Sequence, residues 1–201
     1  MVTPDETYQL LRQLTSPVVA ITSAHAGFRN GMIIDSAIRA SIVPTQPRLA
    51  MFIHKFNVSH GLIFESGQFV LHLLRQDQFD LIHRLGFVHG TDGDKLADIP
   101  SRPGRLEGGP PVLDECYAHF ECRVVNAMDT GSSTCFLADV VEVGYGAAQG
   151  PRGEVMTAAY FRANLPESWL AEYQQQLAAA QQFARERSGD IRALVWRTVT
   201  T

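Results

Sequence analysis

Two long runs rich in β-forming residues constrain the fold of this 201-residue chain most strongly. They span residues 117–128 and 133–145 and are separated by a short turn, Asp-Thr-Gly-Ser, at 129–132. Such runs on either side of a glycine-containing turn predict a β-hairpin. In the first run, apolar residues at 118, 120, 122 and 124 alternate with polar residues at 119, 121 and 123, which predicts one buried and one exposed face.

Five shorter segments extend the predicted sheet. They lie at 18–22, 32–38, 48–53, 68–74 and 155–161, mostly next to glycine or proline turns. The segment 32–38 carries two polar residues, Asp35 and Ser36, inside an otherwise apolar run. Six or seven mostly antiparallel strands would expose their edges in a flat sheet, so a small barrel is the economical arrangement. We therefore expect a mainly β fold with peripheral helices.

Helices are predicted at both ends of the chain and at 79–86. Thr3 and the proline after it start the first one, with Leu11 and Leu14 facing the core. The last one runs from about residue 164 to Ser188, and an arm or short strand follows at 191–201. The glycine- and proline-rich segment 98–111 reads either as a flexible surface loop or as a lid over a site.

Length and composition favour a single globular domain. The 45% hydrophobic content suffices for a core, and the formal charge of −4 argues against a nucleic-acid surface. No apolar run is long enough to span a membrane and no secretory signal is evident. Three cysteines without metal-site spacing favour buried thiols in a reducing cytoplasm. We expect one unit at 1–163 and a C-terminal helix and arm at 164–201, belonging to the same domain or to a dimer contact.

The segment that follows the strand at 48–53 suits a phosphate. Asn57 or Ser59 caps a predicted helix whose first N–H groups are free, while Lys55 adds positive charge and His60 another donor. Together these groups offer several charge-assisted hydrogen bonds to an anion. The alternative reading is an ordinary helix cap beside one solvated lysine.

Several of these segments carry a family resemblance. Residues 30–36, the proline turn at 44–47 and residues 55–60 resemble the opening half of the flavin reductase-like, FMN-binding split-barrel family. The resemblance continues through residues 65–70, 86–95, 121–125 and 157–161. It covers roughly residues 15–163, and the order of the segments is more specific than any one of them.

The resemblance implies a Greek-key, antiparallel split β-barrel of the flavoredoxin or NAD(P)H:flavin oxidoreductase type. It further implies an oxidoreductase that binds FMN, or FAD, and takes hydride from NAD(P)H. The reduced flavin would pass to oxygen, a partner oxygenase or another acceptor, and a homodimer would border each flavin with both subunits. The implied cofactor-binding residues are Ile34, Asp35, Ser36, His54, Lys55, Asn57, Ser59, His60, Thr91 and Lys95. No catalytic acid or base is assigned, because the flavin ring itself accepts and donates the hydride.

Four positions depart from the family pattern. Relatives mostly carry asparagine where Asp35 stands, and an aspartate cannot donate a hydrogen bond to a carbonyl of the flavin ring. Arginine is frequent where Thr91 stands, which leaves Lys95 as the cationic residue of that loop. Relatives often have histidine at the position of Ser133 and near Arg162. These departures support flavin binding better than fast reduction by a nicotinamide cofactor.

Other classes of function remain open on sequence grounds. A non-catalytic flavin- or haem-binding barrel fits the same substitutions, and a pyridoxamine-phosphate-oxidase-like barrel shares the architecture. Seven histidines show no pair at i, i+4 with a neighbouring glutamate, so no metal site is predicted. A Cys–His hydrolase is weaker still, since no cysteine lies at a helix start or glycine elbow.

Overall fold

The computed structural model describes residues 3–14, 16–146 and 153–196. Its helices are α1 (Pro4–Leu11), α2 (Val58–Ser66), α3 (Phe79–Gly86), α4 (Ala158–Ala163) and α5 (Glu167–Arg187). Its strands are β1 (Val19–His25), β2 (Phe28–Ile34), β3 (Ala37–Arg39), β4 (Arg48–His54), β5 (Gln68–Leu73), β6 (Ser101–Arg102), β7 (Val112–Leu113), β8 (Ala118–Asp129) and β9 (Ser133–Tyr145). The predicted hairpin of the two long runs is confirmed as β8 and β9.

Seven strands form one antiparallel sheet in the order β2-β1-β5-β8-β9-β4-β3. Its two edge strands, β2 and β3, are separated along the chain by only Asp35 and Ser36. The sheet must therefore curl until its edges approach, because three residue steps span at most about 11 Å. Asp35 and Ser36 form the seam between these two edges. Ser36 ties the seam to β4, because its Oγ donates a hydrogen bond to the carbonyl oxygen of Phe52 at 2.9 Å and its backbone carbonyl accepts one from the Phe52 N–H at 3.1 Å. The result is a half-barrel, and the predicted mainly β fold is confirmed.

Two apolar clusters lie on opposite faces of the curled sheet. The inner cluster draws on all seven strands and includes Met51 and Phe136, both fully buried. The outer cluster joins Ala20 of β1 to Leu85 of α3 and Phe161 of α4. Burial of this apolar surface is the main driving force for folding, and it fixes α3 and α4 on the outside of the barrel.

The strand predicted at 32–38 is interrupted at the seam. β2 ends at Ile34 and β3 begins at Ala37, so Asp35 and Ser36 lie in the connection and not inside a strand. The Asp35 side chain is exposed. The backbone carbonyl oxygen of Asp35 accepts a hydrogen bond from the hydroxyl of Ser16. Polar residues occur here because the chain passes from one sheet edge to the other.

The predicted alternation of buried and exposed residues in β8 is wrong for the outer face. His119 and Glu121 are 6% and 2% exposed. The segment 98–111 covers them, and the Glu121 carboxylate accepts hydrogen bonds from the backbone N–H groups of Arg105 and Leu106 at 2.7 and 3.0 Å. This segment, with the small sheet of β6 and β7, is a packed cover on the outside of the barrel and not a lid over a site.

The strand predicted at 155–161 is also wrong. Val155 forms only an isolated bridge with Arg75, and α4 begins directly after Thr157. Thr157 caps this helix, since its Oγ1 accepts a hydrogen bond from the N–H of Tyr160 at 3.0 Å. A capping residue before two alanines starts a helix where the apolar pattern suggested a strand.

The ends of the described chain differ from expectation in side-chain burial. Leu11 and Leu14, expected to face the core, are 57% and 81% exposed. After α5, residues 189–196 form an arm without regular structure, which returns to the barrel where Trp196 packs edge-on against Phe64. Residues 197–201 of the predicted arm lie outside the described ranges. Within these ranges, no helix combines the length and apolar character that crossing a membrane requires.

Candidate functional site

A cleft runs along β2 between the barrel and α5. Two adjoining cavities of about 480 and 300 Å³ form it. They share Ile33 and Phe87 on the barrel side and Gln176 and Ala180 on α5. The smaller cavity extends to Asp35 at the seam. Cavities of this size are typical of small-molecule sites.

The N-terminus of α2 opens into the larger cavity. Of the two predicted cap residues, Asn57 and Ser59, Asn57 is the N-cap residue, and it lines this cavity together with Val58. Its side chain makes no capping hydrogen bond, so it leaves the first N–H groups of α2 without that partner. Free N–H groups and the positive end of the helix dipole favour an anion at this point of the cleft.

Ser59 acts on the cleft through Asn30. Ser59 is fully buried, and its Oγ accepts a hydrogen bond from Asn30 Nδ2 at 2.9 Å and contacts Ser23 Oγ at 2.9 Å. Asn30 itself lines the larger cavity. The hydroxyl predicted to bind phosphate therefore positions another polar side chain that borders the cleft.

Lys95 holds residues 87–95, which form one wall of the cleft and are called the wall loop below. Its Nζ donates hydrogen bonds to the carbonyl oxygens of Leu85 at 2.7 Å and Val88 at 3.0 Å. Burial lowers the pKa of Lys95 to about 8, against the opposing influence of the nearby Asp92 carboxylate. Thr91 is exposed and its Oγ1 donates to the carboxylate of Asp92 at 3.2 Å. The loop is thus fixed to the end of α3 by a buried ammonium group.

Three of the ten predicted cofactor-binding residues contact the β8–β9 hairpin instead of the cleft. Each pairs with one hairpin side chain: Lys55 Nζ with Asp129 Oδ1 at 2.6 Å, His54 Nδ1 with Ser133 Oγ at 2.9 Å, and His60 Nε2 with Thr134 Oγ1 at 2.8 Å. These contacts arise because the chain turns between β4 and α2 and passes the end of the hairpin.

The two histidines of this group are neutral near pH 7. Burial, with a smaller contribution from Lys55, lowers the pKa of His60 to about 4. Burial also lowers the pKa of His54, although Asp35 opposes the shift. Neutral imidazoles offer hydrogen bonds without adding positive charge.

The structure divides the ten predicted site residues into three groups. Those that line the cleft are Ile34, Asp35, Asn57 and Lys95. Those that line a cavity beside the hairpin are Lys55 and His60. Those that line neither are Ser36, His54, Ser59 and Thr91.

Sequence reasoning missed several lining residues, among them Asn30, Phe87 and Gln176. Asn30 had a signal, since it is a polar residue at the start of an apolar run. Gln176 had none, because glutamines are common on the solvated face of a helix. Arg162, one of the departures from the family pattern, lines the smaller cavity, and its guanidinium donates to the carbonyl oxygen of Arg12 at 3.4 Å.

The cysteines are free thiols and the described histidines are not clustered with them. Burial raises the pKa of Cys116 to about 11 and also raises the pKa values of Cys122 and Cys135. Within residues 3–14, 16–146 and 153–196, no three histidine, cysteine or carboxylate side chains are arranged to hold a metal ion.

Comparison with protein families decides the assignment of this barrel. The family described as flavin reductase like domain matches residues 11–168. The chain belongs to this flavin reductase-like family. The match ends near the first residue of α5, so most of that helix and the arm lie beyond the family's common part.

Several named proteins are similar to this chain in sequence, over different shares of its length. The Rhodococcus opacus protein named 4-nitrophenol 4-monooxygenase/4-nitrocatechol 2-monooxygenase, reductase component is 32% identical over 63% of this chain and 64% of that protein. The high molecular weight rubredoxin of Moorella thermoacetica is 31% identical over 75% of this chain and 63% of that protein. The chain thus spans less than two thirds of these two relatives. A Kitasatospora aureofaciens protein named flavin reductase (NADH) is 28% identical over 82% of this chain and 81% of that protein.

Solved structures show the same fold. The NADH:FAD oxidoreductase SgcE6 of Streptomyces globisporus C-1027 superposes with a TM-score of 0.65 at 22% identity, over 78% of this chain and 90% of that one. The FMN-binding protein of Thermus thermophilus superposes with a TM-score of 0.63 at 22% identity, over 71% of this chain and 79% of that one. The predicted split barrel is therefore confirmed.

Proposed function

We propose that this flavin reductase-like chain binds the flavin mononucleotide moiety in the cleft along β2 and transfers hydride from NAD(P)H to it. The observation that carries the proposal is the cleft itself, which joins an apolar strip of β2 to the free N-terminus of α2. The relatives named as flavin reductase and as monooxygenase reductase component support the same reaction. A bound flavin would supply the hydride-accepting ring, so the chain needs no acid or base of its own.

The residues of the cleft fit FMN. Met32, Ile33 and Phe87 give the cleft apolar lining against which a ring system could pack. Gly90 lets the wall loop approach α2, since a Cβ there would lie 3.0 Å from the Cβ of Val58. A phosphate at the start of α2 would accept hydrogen bonds from the first backbone N–H groups of α2 and from the side chain of Asn57.

The seam places a polar group at the other end of the cleft. Asp35 is exposed and lines the smaller cavity beside Ile34. Its carboxylate would accept a hydrogen bond from the N3–H of the flavin ring. This orientation leaves the ring face toward the space under α5, where the nicotinamide would have to enter.

The test is a flavin titration followed by an assay of NAD(P)H oxidation. The purified chain should bind FMN in the micromolar range or tighter and oxidise NADH or NADPH in its presence. Binding without oxidation would favour a non-catalytic flavin carrier, the second function that the sequence left open. Binding of pyridoxal phosphate in preference to either flavin would overturn the proposal.

We also propose that two copies of the chain pair through an apolar surface beside the β3–β4 connection. An apolar cavity of about 480 Å³ there is lined by inner-face residues such as Leu73 and Phe120 and by Ile42 and Val43 of the β3–β4 connection. Ile42 is 85% exposed. Exposed apolar surface of this kind marks interaction sites. Ile42→Glu should convert a dimer to a monomer in light scattering, and an unchanged mass would contradict this face.

We further propose a partner oxygenase as the electron acceptor and the cytoplasm as the compartment. The relative named as a monooxygenase reductase component supports a partner oxygenase that receives reduced flavin. The three free thiols support the cytoplasm as the compartment. Stimulation of an oxygenase reaction by this chain plus NADH would test the first of these assignments.

A further inference from the structure

Two more cavities continue the cleft beyond the start of α2. The first, of about 390 Å³, shares Phe56 and Phe183 with the cleft. The second, of about 420 Å³ and called the outer cavity below, shares Lys55 and Arg187 with the first. Because neighbouring cavities share lining residues, they lie one after another under α5 and the arm at 189–196, and we call this row of cavities the groove.

A flavin mononucleotide accounts for only the inner part of this groove. With its ring near Asp35 and its phosphate at Asn57, it would end in the second of the four cavities. The part of α5 that roofs the groove runs from Tyr173 to Arg187, about 21 Å of helix, and the arm extends it further. Two cavities past the phosphate position thus remain for a longer ligand.

The outer cavity has basic groups to spare for an anion. Lys55 is already paired with the buried carboxylate of Asp129 at 2.6 Å, so it contributes little net charge. Arg187 and Arg192 line the same cavity, opposed there by Asp190. The guanidinium of Arg192 makes no ion pair within the described part of the chain.

Arg187 is held in place by an aromatic ring and not by a strong ion pair. Its guanidinium carbon lies 3.6 Å from the centre of the Phe183 ring, and Phe183 packs edge-on against Phe56 with ring centres 4.7 Å apart. Its contact with Glu186, at 3.6 Å, joins two side chains that are each 57% exposed, and such pairs are weak. Arg187 is therefore positioned over the groove and available to a phosphate.

The outer cavity also has an aromatic wall. Phe64 lines it and stacks on His60, with ring centres 5.9 Å apart. A purine base gains favourable energy by stacking on such a ring. The combination of two arginines and an aromatic face suits a nucleotide, because the arginines can bind its phosphate and the aromatic ring can stack on its base.

We propose that the outer cavity binds the adenosine monophosphate end of FAD, with Arg187 and Arg192 contacting the phosphate that FMN lacks, so that the chain prefers FAD to FMN. This inference rests on the proposed function, because the flavin end of the same molecule occupies the cleft. The recognising residues come from the last turn of α5 and the arm, which lie beyond the family match at 11–168. The preference is thus a property of this chain's C-terminal segment.

The test compares the affinities of the flavin-free chain of residues 1–201 for FAD and FMN by flavin fluorescence at fixed ionic strength. The unmodified chain should bind FAD at least about tenfold more tightly than FMN, as one or two charge-assisted contacts would give. The double variant Arg187→Gln/Arg192→Gln should lose that difference while its FMN affinity stays within about twofold. Rising salt should narrow the difference in the unmodified chain only.

Arg185→Gln is the matched control, because Arg185 lies in the same helical turn and its Nε donates to the carbonyl oxygen of Gln181 outside these cavities. It should keep the FAD preference. Equal affinities of the unmodified chain for FAD and FMN, or equal losses for both in the double variant, would overturn the inference and leave the proposed function intact. If the double variant kept its FAD and FMN affinities and lost affinity for NADPH alone, the inference would also be overturned, since the outer cavity would then bind the nicotinamide cofactor. Absence of binding to either flavin would instead refute the proposed function.

Discussion

The ammonium group of Lys55 lies 2.6 Å from the carboxylate of Asp129, whose side chain is only 5% exposed. The same carboxylate accepts hydrogen bonds from the backbone N–H of Gly131 at 2.8 Å and, more weakly, of Arg192 at 3.4 Å. One side chain therefore joins the turn after β4, the β8–β9 hairpin and the C-terminal arm. Lys55 serves this junction and does not stand free for a phosphate.

We expect Asp129→Asn to lower the temperature of thermal unfolding clearly, because it removes the charge that pairs with Lys55 and one acceptor of the junction. Asp139→Asn is a suitable control, since the Arg48–Asp139 pair is also 2.6 Å long but its side chains are each 41% exposed. That variant should change stability little. If calorimetry showed equal shifts in the unfolding temperature of the two variants, the Lys55–Asp129 pair would stabilise the fold no more than the exposed Arg48–Asp139 pair.

Replacing Lys95 with methionine should loosen the wall of the cleft. The substitution removes the hydrogen bonds to the carbonyl oxygens of Leu85 and Val88 while keeping a similar volume. We expect a loss of about 1–3 kcal/mol in the free energy of unfolding and weaker flavin binding. Urea unfolding and flavin titration of the same preparation measure both.

Thr91→Ala provides the comparison within the same loop. Thr91 is exposed, and within the described part of the chain its hydroxyl bonds only the side chains of His89 and Asp92 in the same loop. We expect unfolding free energy to change by less than about 0.5 kcal/mol and flavin affinity to stay the same. A larger effect of Thr91→Ala than of Lys95→Met would reverse the roles given to these residues.

The barrel was predictable from the sequence because each strand carries its own signal. The β8–β9 hairpin has two long β-rich runs around a glycine turn, and residues 167–187 show helical spacing. The errors occur where tertiary contacts decide. Alternation predicts that Glu121 is exposed, but the side chain is buried, and the backbone N–H groups of Arg105 and Leu106 donate hydrogen bonds to its carboxylate. No local pattern announces such a cover.

The site was predictable only in part, for a related reason. The start of α2 could be recognised from its cap residue, Asn57, because helix caps are local. The pairing of Lys55 with Asp129 joins residues 74 positions apart, and the approach of Gln176 to the carbonyl of Phe87 joins residues 89 apart. Spacing along the chain holds no information about contacts that depend on how the hairpin and α5 pack.

Gly90→Ala should weaken flavin binding through crowding. The added Cβ would lie 3.0 Å from the Cβ of Val58 and 3.2 Å from Asn30 Nδ2, so the loop or the start of α2 must shift. Overpacking of this kind costs about 1–3 kcal/mol. Gly61→Ala, in the interior of α2 with nothing within 4 Å of its Cβ, should instead stabilise the protein by up to about 1 kcal/mol. Thermal unfolding and flavin titration of both variants provide the measurement.

His72 makes the fold sensitive to acid. It is fully buried, its Nε2 accepts a hydrogen bond from the Leu113 N–H at 3.0 Å, and its Nδ1 lies 3.3 Å from the carbonyl oxygen of Ala20. This geometry requires the neutral ring with its proton on Nδ1, because a second proton on Nε2 would face another donor. Burial lowers the pKa of His72 to about 3, outweighing the raising effect of the bond to Ala20.

Because the folded pKa lies below the unfolded value of about 6.5, the unfolded chain binds more protons between these limits, and stability must fall as the pH falls through that window. The loss approaches about 1.4 kcal/mol per pH unit for this one group. We expect His72→Leu to be less stable than the unmodified chain at pH 7.5 but to lose less stability between pH 6.5 and 4.5 in urea unfolding. His25→Leu, at an exposed position, should retain the slope of the unmodified chain. If His72→Leu kept that slope too, the acid sensitivity would have to come from other groups, of which His60, with its pKa lowered to about 4, is the next to test.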